Sequence, residues 1–171
     1  ENTRLGIPAI LHDEILHGHM AQGSTSFPQP IALAGTWDPD FVSKVFTAAA
    51  LETRARGSHQ VLGPNLDVAR EPRWGRTEET YGEDPFLTAM LGTAFVHGLQ
   101  GNDPKYLKAA ACAKHYAVHS GPEPSRHVDD ISPTDYDLWN TYLPAFKQLV
   151  TKANVAGVMC AYNAYKEQPC C

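Results

Sequence analysis

Nowhere does the chain contain a run of about 18 apolar residues, so no segment has the length and apolarity of a membrane-spanning helix and no membrane partner is expected. Clusters of positive charge are missing as well. The 14 basic residues are outnumbered by 19 acidic ones, giving a net charge of -5, and none of them form a patch that could track a phosphate backbone, so nucleic acid is not an expected partner. Cysteine is scarce, with Cys112, Cys160, Cys170 and Cys171 alone, and the adjacent last pair fits no C-x-x-C metal spacing. Cys112 and Cys160 lie inside apolar runs and are expected to be small buried hydrophobes. Internal repeats, low-complexity tracts and Ser/Gly linkers do not occur, which predicts no domain boundary across residues 1–171. No charged-then-apolar leader is visible, but a chain opening with Glu1 leaves the compartment undecided.

What is present is an ordinary globular composition with 43% hydrophobic residues, enough for one domain with its own core. Short apolar runs read as strands: Ile7 to Leu11, Ile31 to Ala34, Val61 to Val68, Ala109 to Ala117 and Ala156 to Ala161. Between them lie segments of helical period. Asp38 to Gly57 has Asp38 as N-cap, Pro39 at the first position, and Phe41, Val45, Phe46 and Ala49 on one face. Asp84 to Gly101 repeats that grammar with Leu87, Leu91, Ala94 and Phe95. Ser132 to Lys152 forms the third, carrying Leu138, Tyr142, Phe146 and Leu149, with Pro144 expected to kink it. Strands apolar throughout, each followed by an amphipathic helix, indicate a parallel sheet covered by helices, hence an α/β fold of doubly wound or (β/α)8 barrel type. Polar residues gather where the strands run out, at His12-Asp13-Glu14, Asn65 with Asp67, Lys114-His115 and Tyr162-Asn163, as a barrel active site requires.

Three clusters carry candidate chemistry. The first is His12-Asp13-Glu14-Ile15-Leu16-His17-Gly18-His19. There His17 and His19 could hold a metal ion at a strand end with Lys114 as a further ligand-like group, or Glu14 could accept hydrogen bonds from sugar hydroxyls while the histidines orient it. The second runs from Arg70 to Asp84 around Pro72-Arg73-Trp74-Gly75-Arg76, where Trp74 in a Pro/Gly loop marks a fixed surface. Within it Arg73, Glu78 and Glu79 read as an internal salt-bridge network, and Arg76 as a planar donor for vicinal hydroxyls. The third is Ala113-Lys114-His115-Tyr116. Its lysine follows a run too apolar to leave an ammonium unpaired, so Lys114 and His115 read as adjacent donors for a polyol. Nearby Arg126 and His127 fall in a Gly/Pro-rich loop that reads as solvated.

Taken in order, Arg4-Leu5-Gly6-Ile7-Pro8, Glu14-x-Leu16-His17-Gly18, Thr25-Ser26-Phe27-Pro28-Gln29, Asp67 through Asp84 with its Trp-Gly-Arg centre, Ala113-Lys114-His115-Tyr116 and Met159-Cys160-Ala161-Tyr162-Asn163 closely resemble the N-terminal domain of family 3 glycoside hydrolases. The resemblance runs nearly end to end. It implies part of a (β/α)8-like barrel, exo-acting removal of a non-reducing β-linked sugar with retention, and no metal or other cofactor. By position, Glu14, Arg76, Lys114 and His115 resemble the residues that grip hydroxyls of the terminal sugar, and Tyr162 the tyrosine close to the nucleophile. Asp13, His17, Trp74 and His127 are secondary candidates for substrate contact. The nucleophilic Asp and the acid/base Glu, the latter on a second domain of the same parent chain, are expected beyond Cys171. The implied substrate is a β-linked oligosaccharide or β-glucoside, cleaved as by a β-glucosidase or alternatively a β-xylosidase, and a periplasmic or secreted parent is compatible with it. Readings of another class are a metal-dependent barrel hydrolase using His17 and His19, and a non-catalytic sugar-binding module. Three departures from the family pattern stand out: Arg70-Glu71-Pro72, Lys166-Glu167-Gln168-Pro169, and a Ser125-to-Asp130 loop lacking the phenylalanine that often follows its Arg-His.

Overall fold

Short parallel strands alternate with longer helices in the computed structural model, which describes residues 3–170. In chain order the elements are β1 (His12–Asp13), α1 (Pro30–Ala34), α2 (Pro39–Ala55), β2 (Gln60–Val61), α3 (Pro85–Gln100), β3 (Ala110–Tyr116), β4 (Asp130–Ile131), α4 (Asp135–Asp137), α5 (Pro144–Thr151), β5 (Gly157–Cys160), β6 (Ala164–Tyr165) and β7 (Gln168–Pro169). Strands β1, β2, β3 and β5 make one parallel sheet in that spatial order. Parallel neighbours cannot be joined by a hairpin, so each pair is linked by a helical crossover: α1 and α2, then α3, then α4 and α5. The result is an arc of a (β/α)8-like barrel. A second, smaller sheet of β4, β6 and β7 lies beyond the end of β5.

The two long helices start where the sequence places their caps. Asp38 accepts a hydrogen bond from the Phe41 amide at 3.0 Å, and Asp84 accepts one from Leu87 at 2.6 Å. Pro39 and Pro85 fill first-turn positions that need no N–H donor. Val42, Val45, Phe46 and Ala49 of α2 then pack against Leu91, Phe95 and Leu99 of α3, with the Phe46 and Phe95 rings 3.9 Å apart between centroids. Gly98 permits this approach, since a Cβ there would lie 2.3 Å from the Ser43 carbonyl oxygen. At the end of α3, buried Gln100 accepts from the Ala111 and Ala156 amides and donates to the Asn154 carbonyl, tying the helix to β3 and to the approach to β5.

Several expectations need correction. Ile7 to Leu11 is irregular, with Ile7 68% and Ile10 72% exposed, and the strand begins only at His12, where β2 offers a partner. Ile31 to Ala34 is helical rather than extended, because Pro30 starts a turn whose N–H groups bond back to Gln29. Of the Val61 to Val68 run only the first residue belongs to β2, although Leu66 still donates to the Lys114 carbonyl at 2.7 Å. Phe41 sits off the buried stripe of α2 and is 42% exposed. The third helical segment is capped by Thr134, not Ser132, and breaks into α4, a π-helical turn at Leu138–Tyr142, and α5. Pro144 is the cause: it has no N–H for the Asn140 carbonyl, and its ring pushes that turn wider. Cys112 is buried and free as expected, whereas Cys160 is half-buried and disulfide-bonded.

Beside the outer edge of β5, an apolar groove of about 770 Å³ includes Tyr116, Trp139, Leu143, Phe146, Val150 and Val158 in its lining. Trp139 is 65% exposed there, and among the described residues β5 pairs with β3 alone.

Candidate active site

The polar residues at the C-terminal ends of β1, β2 and β3 converge. Lys114 lies near the end of β3, whose preceding residues Ala111, Cys112 and Ala113 are all buried. Its side chain is 1% exposed, so the ammonium requires a partner, and it donates to both carboxylate oxygens of Glu14 at 2.7 Å. Glu14 follows β1 and its side chain is 50% exposed. The pair therefore has a dry cationic end and a carboxylate open to solvent.

His115 is fixed by Asp67. The Asp67 carboxylate accepts from the His115 amide at 3.1 Å and from Nδ1 of the ring at 2.7 Å, and the Asp67 amide donates to Asn65 at 2.9 Å. A carboxylate oxygen accepts, so Nδ1 carries a proton, and Nε2 is the ring nitrogen left for another partner. Arg76 makes a two-pronged contact to Glu79, at 2.8 and 2.7 Å, with Asn65 donating more weakly to the same carboxylate. Burial pushes the Glu79 carboxyl upward, but the hydrogen bonds and charge of Arg76, with Lys114 helping, outweigh it and bring the group below its ordinary range. Burial likewise opposes the Arg76 charge, and Glu79 more than compensates. These shared influences put Lys114, Arg76, Glu79 and Asp67 in one electrostatic neighbourhood.

Behind them Trp74 is buried, its ring edge-on to His119 at 5.4 Å between centroids, and His119 is edge-on to His115 at 5.0 Å. Tyr162, after β5, is 58% exposed; His127 lies against it at 4.4 Å, and the Arg126 guanidinium sits 5.7 Å from the ring centroid. The loop read as solvated thus packs on Tyr162, with Arg126 also paired to Glu123 at 2.6 Å. Arg73 pairs with Glu71 out in solvent.

Two secondary candidates are directed elsewhere. Asp13 accepts from the Ser58 hydroxyl, and His17 faces the Ser26 hydroxyl at 3.5 Å while its carbonyl holds the Phe27 amide. Among the described residues, His17 and His19 do not come together with a third ligand atom. Among the described residues the grouping that offers three ligand atoms is Asp67, His115 and His119, within 4.8 Å of one another, and its carboxylate is already bonded to His115. The sequence marked Asn65 and Asp67 as strand-end polar residues without giving them a role, and His119 escaped notice, its only signal being its place four positions after His115.

Comparison with known proteins identifies relatives over nearly the whole chain. The profile of the "Glycosyl hydrolase family 3 N terminal domain" matches residues 1–171. A xylan 1,4-beta-xylosidase from Xylanibacter ruminicola is 46% identical over 187 residues, covering 98% of this chain and 22% of that protein. A solved family 3 exo-beta-xylosidase in complex with a xylobiose aziridine probe superposes with TM-score 0.89 at 34% identity, over 94% of this chain and 23% of the other. A beta-glucosidase involved in saponin metabolism from intestinal bacteria does so with TM-score 0.90 at 36% identity, over 99% and 23%. The chain thus spans about a quarter of the length of the curated relatives it matches.

Proposed function

Because the chain belongs to glycoside hydrolase family 3 through that family's N-terminal domain, we propose that it supplies the sugar-gripping part of a longer retaining exo-glycosidase. The substrate in this reading is a terminal, non-reducing β-D-xylosyl residue of a β-linked oligosaccharide. The observation that carries it is the Glu14–Lys114 pair, a fully buried ammonium whose partner carboxylate opens to solvent, with the Arg76–Glu79 pair near enough for the Lys114 charge to act on Glu79. Such a set binds hydroxyls through charge-assisted hydrogen bonds, which strengthen as the sugar moves toward its oxocarbenium-like transition state.

Retention requires a nucleophilic carboxylate and a proton donor about 5 Å apart. Glu14, Asp67 and Glu79 are each committed to a cation or an imidazole, so none suits either role. The nucleophilic Asp and the acid/base Glu come, in this reading, from other parts of the longer enzyme, including its second domain, and further barrel elements cover the apolar groove beside β5. The chain alone then binds sugar weakly and hydrolyses nothing.

Xylose is placed ahead of glucose because the curated relatives that match across the chain are named xylosidases. A glucosyl substrate is the second reading, supported by the β-glucosidase structures that superpose equally well. Steady-state kinetics of the full-length enzyme on nitrophenyl β-xyloside and nitrophenyl β-glucoside decide between them. A kcat/KM at least about tenfold higher on the xyloside is expected; preference for the glucoside overturns the xylose assignment, and turnover of neither rejects the reading.

A further inference from the structure

His119 lies one layer behind the proposed sugar-binding groups, and nothing assigned so far uses it. The residue is 2% exposed, yet its Nε2 finds no hydrogen-bond partner among the described residues. Phenylalanine would fill the same space between Trp74 and His115 without burying a nitrogen, so the imidazole is a costly choice if packing is its whole task. The backbone leading to it is costly too. Val118, a buried β-branched residue, is held at φ 62°, a region such side chains rarely adopt and one that clusters at functional sites.

Asp67 offers the nitrogen something to do. Its two oxygens each accept one hydrogen bond, both from His115, which leaves acceptor capacity on a residue only 4% exposed. One side-chain ligand atom from each of Asp67, His115 and His119 lies within 4.8 Å of the other two. Two hydrogen bonds of about 2.8 Å through one oxygen atom can span that separation, and a buried water with such polar neighbours is an ordinary structural component. The charged and titratable groups facing His119 are Asp67, His115, Arg76 and Glu123.

We propose that His119 is a positioning residue which, through one buried water shared with the Asp67 carboxylate, fixes Asp67 and thereby holds the His115 ring with Nε2 toward a sugar hydroxyl. The proposal rests on the sugar-site reading above and adds a residue that acts through His115 rather than on the substrate. It separates two roles that ring packing alone would combine. His119→Phe keeps the ring contacts with Trp74 and His115 and removes the nitrogen; His119→Gln keeps a polar group at that depth.

The test is a double-mutant cycle in the full-length enzyme, with thermal midpoints recorded for every variant. His119→Phe is expected to leave the midpoint unchanged or higher while lowering kcat/KM about tenfold, mainly in kcat, with His119→Gln recovering part of the loss. In a His115→Ala background the same His119→Phe change should cost less than about twofold, because the group it positions is gone. Wild-type kcat/KM for His119→Phe, or an equal loss in both backgrounds, overturns the proposal while leaving the sugar site standing. If His115→Ala itself leaves kcat/KM unchanged, the sugar-site reading fails and this inference falls with it.

Discussion

Deleting one partner of the Glu14–Lys114 ion pair should cost very different amounts according to which partner goes. The Lys114 side chain is 1% exposed and that of Glu14 is 50% exposed, although the two meet at 2.7 Å. Glu14→Ala strands an ammonium in a dry environment, and the other carboxylate it influences, Glu79, is already bound by Arg76. Breaking a buried pair in this way costs roughly 3–5 kcal/mol; because water can enter where the half-exposed Glu14 was, the lower end, about 3 kcal/mol, is expected. Lys114→Met removes the buried charge itself, fills most of the lysine volume with an apolar chain, and leaves a carboxylate that water can reach. Its cost should stay below about 1 kcal/mol. At roughly 2–4 °C per kcal/mol for a domain of this size, calorimetry of the full-length enzyme should show the barrel transition falling by about 6–12 °C for Glu14→Ala and by less than about 4 °C for Lys114→Met. Equal losses, or a larger one for Lys114→Met, would refute the argument from unequal burial.

Two further outcomes are expected. Gly98→Ala should destabilise the α2–α3 contact by about 1–3 kcal/mol in equilibrium unfolding, because the new Cβ lands 2.3 Å from the Ser43 carbonyl oxygen and every atom it meets is Ser43 backbone; Gly57→Ala tests only a strained φ, since its Cβ meets nothing. Burial holds the His119 imidazole below its ordinary 6.5, with His115 and Arg76 acting in the same direction and Asp67 opposing. The unfolded chain therefore takes up that proton first, so this part of the stability is present above about pH 6.5 and is lost as pH falls, and His119→Phe should flatten the fall of the thermal midpoint below that pH.

Elements with strong local signals were legible in the sequence. Asp38-Pro39 and Asp84-Pro85 combine a side-chain acceptor with a residue that needs no donor, and both helices begin there. The β3 run is long and apolar enough to be read, whereas four apolar residues after Pro30 fit a helical turn as well as a strand, and only the tertiary environment chose the helix. Ile7, Ile10 and Leu11 are apolar like strand residues, but strand structure needs a paired neighbour, and pairing with β2 starts at His12. In the site, Glu14, Lys114 and His115 stood out as polar residues ending apolar runs, and Arg76 through its loop. Their partners did not, since the bond from His115 to Asp67 crosses 48 positions and the stacking of His127 on Tyr162 joins two separate loops. His119 was invisible for a similar reason: its placement depends on the left-handed Val118, and no spacing rule encodes that turn.

Lys114 and Arg76 belong to the set proposed to hold the terminal sugar, and steady-state kinetics of Lys114→Met and Arg76→Ala in the full-length enzyme test this most directly. Each removes a charge-assisted contact worth about 1.5–3 kcal/mol, and at about 1.36 kcal/mol per tenfold this corresponds to a fall in kcat/KM of roughly 10- to 150-fold or more on nitrophenyl β-xyloside. Losses of that size with the Lys114→Met thermal midpoint nearly intact are the predicted result. Near-wild-type kcat/KM for both variants would contradict it.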